Sequence, residues 1–227
     1  MSKIKMFGKT ELPHSPEELK QISEDILLHA KKLGATEATA LVKENGGLSL
    51  KVRKQKIDTI KHHLNKQISI SIFCKNKSGA AQTSDFSRSS IERTVESAFN
   101  IARFTSENDD FQLPAEEDLE HNPPALDLYH PWDISISDAV KLATRAESAA
   151  LSQDPRITNT DGANFGSESS HFVLAMSNGF MGGYATSAHY LFCSALAEES
   201  GLKQMDGWLI LPTNGGHAVK RVKSLTR

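Results

Sequence analysis

Cysteine is scarce: Cys74 and Cys193 are the only two in 227 residues, and each lies in an apolar run. A disulfide-stapled scaffold needs several pairs. That class is excluded, and both thiols are expected to be free and buried. Long apolar runs are also missing. No stretch approaches the roughly 18 residues that a membrane span requires. Met1–Leu12 carries basic residues but no apolar core, so it does not read as a secretory signal. The expectation is a cytoplasmic protein without a membrane anchor. Charge of one sign is missing as well, with 26 Lys and Arg against 28 Asp and Glu and a net charge of -2. The whole chain is therefore not an electrostatic nucleic-acid binder.

Motifs for hydrolytic chemistry are absent too. A zinc peptidase commonly places two histidines one helical turn apart, with a glutamate base beside them. None of the nine histidines is followed by glutamate. His62 and His63 are adjacent and would face opposite sides of a strand. Ser167, Ser169, Ser170 and His171 supply residue types for a nucleophile without a Gly-x-Ser-x-Gly elbow. Gly179–Gly183 has no lysine and no following helix, so it is not a phosphate loop. No catalytic residue, metal ligand or cofactor is assigned to this chain.

What is present is patterned. Ser15-Pro16-Glu17-Glu18 is an N-cap, an N1 proline and a capping-box glutamate. Leu19, Ile22, Ile26, Ala30 and Leu33 follow on one helical face, and Gly34 ends the helix. Strand patterns come next, at Glu37–Lys43, Leu48–Arg53, Ile57–His62, Gln67–Cys74 and Ala80–Ser84. Gly46-Gly47 reads as a turn between the first two. A second helix spans Ser87–Phe104. Residues 1–104 thus predict an α+β domain with helices on one sheet face.

Residues 105–132 break the periodicity with Pro114, Pro123, Pro124, Pro131 and an acidic run, and read as a linker. Residues 133–207 form a second unit, a helix plus a β-hairpin. Its helix is capped at Ser135, with Ala139, Leu142, Ala143, Ala146 and Ala150 inward. Phe172–Met176 is a strand. Asn178-Gly179 is the strongest hairpin signal in the chain, and a return strand runs from Phe180 to Ala197. Residues 208–227 form a basic tail without a convincing pattern.

Two surfaces are candidates for binding. The hairpin residues Asn178, Gly179, Phe180 and Tyr184 are candidates for a subunit interface or a peptide groove, with core packing as the plainer reading of the aromatics. The basic stretch Lys51–Lys66 is a candidate surface for nucleic acid or a regulator. Its plainer reading is a solvated hairpin with lysines guarding an edge strand. No aromatic interleaves those charges, so nucleic acid is not the expected partner.

Several segments resemble the PmbA/TldD family, in family order. They are Leu33–Ala38, Ser78–Asp85, Ile101–Thr105, Leu126–Tyr129, Asp154–Asn159 and Ser177–Tyr184. The Gly-Phe-x-Gly-Gly-Tyr stretch at Gly179–Tyr184 leans toward the PmbA branch, also called TldE. The resemblance implies an N-terminal portion of a PmbA-type subunit. It further implies a TldD-type partner subunit that carries the zinc, and cleavage of unfolded or leader peptides by the pair. It spans about Glu18 to Trp208. Family members continue beyond that point into a β-rich C-terminal domain, so the expectation is a truncated or frame-shifted product.

Overall fold

The computed structural model describes residues 12–108, 112–120, 122–213 and 216–223, with side chains through residue 211. The first helix, α1 (Pro16–Leu33), begins as its capping pattern requires. The Glu18 N–H donates to Ser15 Oγ at 3.2 Å, and the Ser15 N–H donates to the Glu18 carboxylate at 2.6 Å. Gly34 closes the helix in the left-handed region, with φ of 95°.

Strands β1 (Glu37–Arg53) and β2 (Lys56–Cys74) form one long antiparallel hairpin. The expected turn at Gly46-Gly47 does not exist. The ladder runs unbroken from Glu37 opposite Phe73 to Lys51 opposite Thr59. A side chain at Gly47 would collide with the backbone of Ser167 and Glu168 on the next strand. Glycine is there for close approach, not for reversal. The two segments expected within β2, Ile57–His62 and Gln67–Cys74, are likewise one strand. The reversal itself falls at Lys54 and Gln55, with φ of 51° and 61°, as in a type I′ turn.

Strand β3 (Lys77–Thr83) returns beside β2, and α2 (Arg88–Phe104) follows. Gly79 lets α2 lie directly on β3, because a side chain there would meet the helix backbone at Ala98 and Ala102. After the proline-rich segment come α3 (Ile136–Leu151), β4 (Ile157–Met176), the short β5 (Met181–Gly182) and β6 (Ala185–Glu199). The unpatterned basic tail is corrected by the structure. It completes β7 (Leu202–Thr213) and forms β8 (Gly216–Lys223), paired from Asp206–Lys223 to Thr213–Gly216. Sequence patterning misses this hairpin because Thr213–Gly216 separates two short runs with little alternation.

All strands pair antiparallel in the order β3-β2-β1-β4-β6-β7-β8, with β5 on β4. The fold is α+β, and the segments on either side of the linker share one sheet through the β1–β4 ladder. Even-numbered residues of β1 face the helices along its whole length. Ala38, Ala40 and Val42 meet α1 and α2 in one core cluster. Leu48, Leu50 and Val52 meet α3 in a second. Glu44, Ser169 and His171 lie buried between the two clusters. The opposite face carries no helix among the described residues.

Candidate binding site and buried polar groups

The Asn178-Gly179 hairpin forms as its dipeptide predicts. The Met176 N–H donates to Phe180 O at 2.9 Å, and the Gly179 N–H to Met176 O at 3.1 Å. Gly179 has φ of 99°, which costs glycine little. The tip is tied down on two sides. The Ser177 N–H donates to Ala38 O at 2.9 Å, and the Ala38 N–H to Ser177 Oγ at 3.0 Å. The Asn178 side-chain amide donates to Pro114 O at 3.2 Å. The Leu113 N–H reaches the Glu37 carboxylate at 3.1 Å. The linker is thus fastened across the start of β1 and the hairpin.

A cleft of about 490 Å³ lies between this hairpin and α1, lined by Leu27, Leu28, Lys31, Ala38, Gly179 and Phe180 among others. Its lining is mostly apolar, with Glu24, Lys31 and Glu37 as its charged members. Phe180 is half-buried there, while Asn178 is exposed at the tip. Tyr184 lies elsewhere. It packs edge-on against Phe172 at 5.8 Å on the helix-free face. Tyr190 lies on that same face, over Gly166, and is 38% exposed. The structure therefore brings Gly179 and Phe180 to one cleft and places Tyr184 in a separate aromatic strip.

Three buried or half-buried polar pairings escaped the sequence reading, although it named Ser167 and His171 singly. Glu44 is fully buried and receives the His14 backbone N–H at 3.2 Å. It also meets His14 Nδ1 at 2.6 Å and His171 Nε2 at 3.3 Å. Two nitrogens of His14 and one of His171 are spent on this carboxylate. They do not converge on a shared point as metal ligands would. Among the described residues no group of three His, Cys, Asp or Glu side chains is placed to hold a metal ion. The parity of β1 was the available signal, because Glu44 continues the inward series Ala38, Ala40, Val42.

Ser167 and His189 form the second group, with Oγ and Nδ1 at 3.0 Å. His189 Nε2 lies 2.8 Å from the His130 carbonyl. That carbonyl can only accept, so it fixes the Nε2–H tautomer and leaves Nδ1 to accept from Ser167. The pair has the hydrogen bond of a nucleophile and its base. Yet Ser167 sits mid-strand, paired to Leu48 on one side and to His189 on the other. Its neighbouring backbone N–H groups are committed to those ladders, which leaves no donors for an oxyanion. Trp132, edge-on to His189 at 5.6 Å, closes over it. The arrangement fastens the linker to β6 and is not poised for acyl transfer.

Glu147 of α3 is the third group, and it caps the β1–β2 turn. Its carboxylate accepts the backbone N–H groups of Lys54 and Gln55, each at 2.8 Å, and the Thr160 hydroxyl at 2.5 Å. Burial opposes its ionisation. The hydrogen bonds from Thr160, Gln55 and Lys54 outweigh burial and hold its pKa below the ordinary 4.5.

The basic stretch is partly consumed within the sheet. Lys51 Nζ pairs with Asp161 at 3.2 Å. Arg53 Nε donates to Thr160 O at 3.3 Å, and Lys66 lies over the Phe86 ring at 4.9 Å. Lys54, Lys56 and Lys61 remain exposed.

Two family models match the chain. Residues 38–102 match the PmbA/TldA metallopeptidase domain 1, and residues 129–226 match the PmbA/TldA metallopeptidase central domain. The chain belongs to the PmbA/TldD family. The match reaches residue 226, well beyond Trp208, where the quoted segments lead one to expect the resemblance to end. Metalloprotease PmbA of Escherichia coli O157:H7 is 36% identical over 169 residues, covering 74% of this chain and 38% of that protein. A metalloprotease PmbA homolog of Haemophilus influenzae is 36% identical over 180 residues, covering 79% of this chain and 40% of that protein. The chain thus spans 38% to 40% of the length of these two relatives. The fold is shared with a protein from Bacteroides thetaiotaomicron named as a modulator of DNA gyrase. That likeness has a TM-score of 0.80 at 19% identity and covers 92% of this chain and 47% of the other. TldE from Thermococcus kodakarensis has the fold as well, with a TM-score of 0.68 at 14% identity, over 83% of this chain and 42% of the other. No helix among the described residues is long and apolar enough to cross a membrane.

Proposed function

We propose that this chain supplies the N-terminal and central portion of a PmbA-type subunit. That subunit pairs in the cytoplasm with a TldD-type, zinc-bearing subunit, and the pair cleaves unfolded or leader peptides. The observation that carries the reading is the asymmetry of the sheet. Among the described residues three α-helices cover one face, while the other carries the half-exposed aromatics Phe172, Tyr184 and Tyr190. Aromatic side chains on an uncovered face are the usual anchors of a protein interface. The family is one of metallopeptidases. The resemblance to the PmbA branch assigns peptide-bond cleavage by metal-activated water to the TldD-type partner. This chain's part is to pair and to enclose the peptide. The cleft between α1 and Phe180 is where an apolar side chain of that peptide would rest.

Size-exclusion chromatography of the full chain co-expressed with a TldD-type subunit tests the reading. A single co-eluting species is expected, weakened about tenfold or more by Tyr190→Asp. Separate elution of the two proteins at micromolar concentration overturns it.

A further inference from the structure

The β3 ladder reaches only part of β2. It pairs Ile68–Cys74 and stops at Thr83. The remainder of β2, Lys56–Gln67, has β1 on one side and, among the described residues, no strand on the other. In an antiparallel strand, alternate residues turn their N–H and C=O groups toward each neighbour. Roughly half of the backbone groups in this stretch therefore point outward, as a template for one more strand.

The side chains along the same stretch fit an added strand. Ile57, Ile60 and Leu64 are 53%, 39% and 50% exposed. They lie opposite Val52, Leu50 and Gly46, and so on the face that carries the helices. Leu50 and Val52 belong to the core under α3. The three exposed residues extend that core past its rim, and no element among the described residues packs over them. A strand laid outside β2 would bury its own inward side chains against them.

Charge selects the occupant. Lys54, Lys56 and Lys61 are exposed on this stretch, and Asp58 is its one acid. A second copy of this chain, paired antiparallel on the same edge, would bring two net-positive edges together, which disfavours cross-strand pairing. No Phe, Tyr or Trp occurs from Lys54 to Gln67, so the large rings of a nucleobase stacking platform are missing there. We propose that the outer edge of β2, Lys56–Gln67, accepts an extended peptide segment of alternating apolar and acidic residues as an added antiparallel strand. This edge is distinct from the α1–Phe180 cleft and from the aromatic face, and the inference does not rest on the subunit pairing above.

Fluorescence anisotropy with the full chain tests it. The probe is a labelled peptide of alternating valine and glutamate, long enough to span Lys56–Gln67. It is compared with a valine–lysine peptide, with a valine–glutamate peptide N-methylated at alternate residues, and with a single-stranded oligothymidylate. The valine–glutamate peptide is expected to bind, at least about tenfold tighter than the valine–lysine one. N-methylation is expected to abolish binding, because it removes the ladder donors. K56E/K61E is expected to weaken binding about tenfold or more while leaving the melting temperature unchanged. The proposal is overturned if the oligothymidylate binds as well as the acidic peptide, which would make the patch a general anion surface. It is equally overturned if the N-methylated peptide still binds, if no peptide binds, or if the chain dimerises through this edge.

Discussion

The Glu147 carboxylate on α3 accepts the backbone N–H of Lys54 at 2.8 Å, across the end of the β1–β2 hairpin. The turn it caps places two long side chains at positive φ, a conformation that costs each residue about 1 kcal/mol. Neither Lys54 nor Gln55 is a turn-former. The helix carboxylate supplies what asparagine and glycine supply elsewhere. Glu147→Ala would leave two part-buried N–H groups and the buried Thr160 hydroxyl without their acceptor. A loss of about 3 kcal/mol is expected in urea unfolding, and a loss below about 1 kcal/mol would show that water replaces the carboxylate.

The same residue gives a pH dependence with a definite sign. Its folded pKa lies below its ordinary value of 4.5. Its stabilisation is complete above that ordinary value and is lost as pH falls toward and through the folded one. The stability difference between the wild-type chain and Glu147→Gln should be constant near neutrality and shrink below pH 4.5. A difference that grows on acidification would reverse the assignment.

Glu44 and His171 face each other across β1 and β4 with no bulk water. Removing one partner leaves the other buried and short of hydrogen bonds. His171→Leu should cost about 3 kcal/mol. The double change Glu44→Leu with His171→Leu should recover part of that, because two apolar groups then fill the seam. Additive losses in the double variant would show that the two residues act independently.

Gly79 sits against the backbone of α2 at Ala98 and Ala102. Gly79→Val must push the helix off the sheet. A loss of about 2 to 3 kcal/mol is expected, read as a lower thermal midpoint. The exposed Gly201, with open space around it but φ of 80°, should lose only about 1 kcal/mol on change to alanine.

Arg156 bridges Asp154 at 2.8 Å and Glu199 at 3.2 Å. Hydrogen bonds from its side chain and backbone hold the Asp154 pKa down to about 2. Carboxyl NMR should show that midpoint, and Arg156→Gln should move it up toward 3.8. An unmoved midpoint would shift the cause to the backbone N–H alone.

Burial, with a smaller push from Glu147, raises the Cys193 thiol to about 11. The half-buried Cys74 is raised less, chiefly by burial. A thiol reagent at pH 8 should modify Cys74 first in the native chain, and both at equal rates in denaturant. Equal rates in the native chain would show that the second core opens readily.

The sequence by itself determined the local elements. The Ser15 capping box, the Gly34 cap, the alanine face of α3 and the Asn178-Gly179 turn each act within a few residues, so their signals sit in the chain where the structure uses them. The family likeness was legible for the same reason, since most of its motifs lie on turns, loops and helix ends, with Ser78–Asp85 on β3 the exception. What only the tertiary structure decided is where strands run on. Gly46-Gly47 reads as a turn until β4 lies against it, and the tail after Trp208 has no pattern until β7 and β8 pair. The hydrogen-bonded partners Glu44–His171 and Glu147–Lys54, 127 and 93 residues apart, depend on one long sheet joining both halves. The stretch of β2 that lacks a second strand among the described residues depends on where β3 stops. Hydrogen bonds between distant strands leave no period in the sequence, and a carboxylate reads as surface until its donors arrive from elsewhere in the chain.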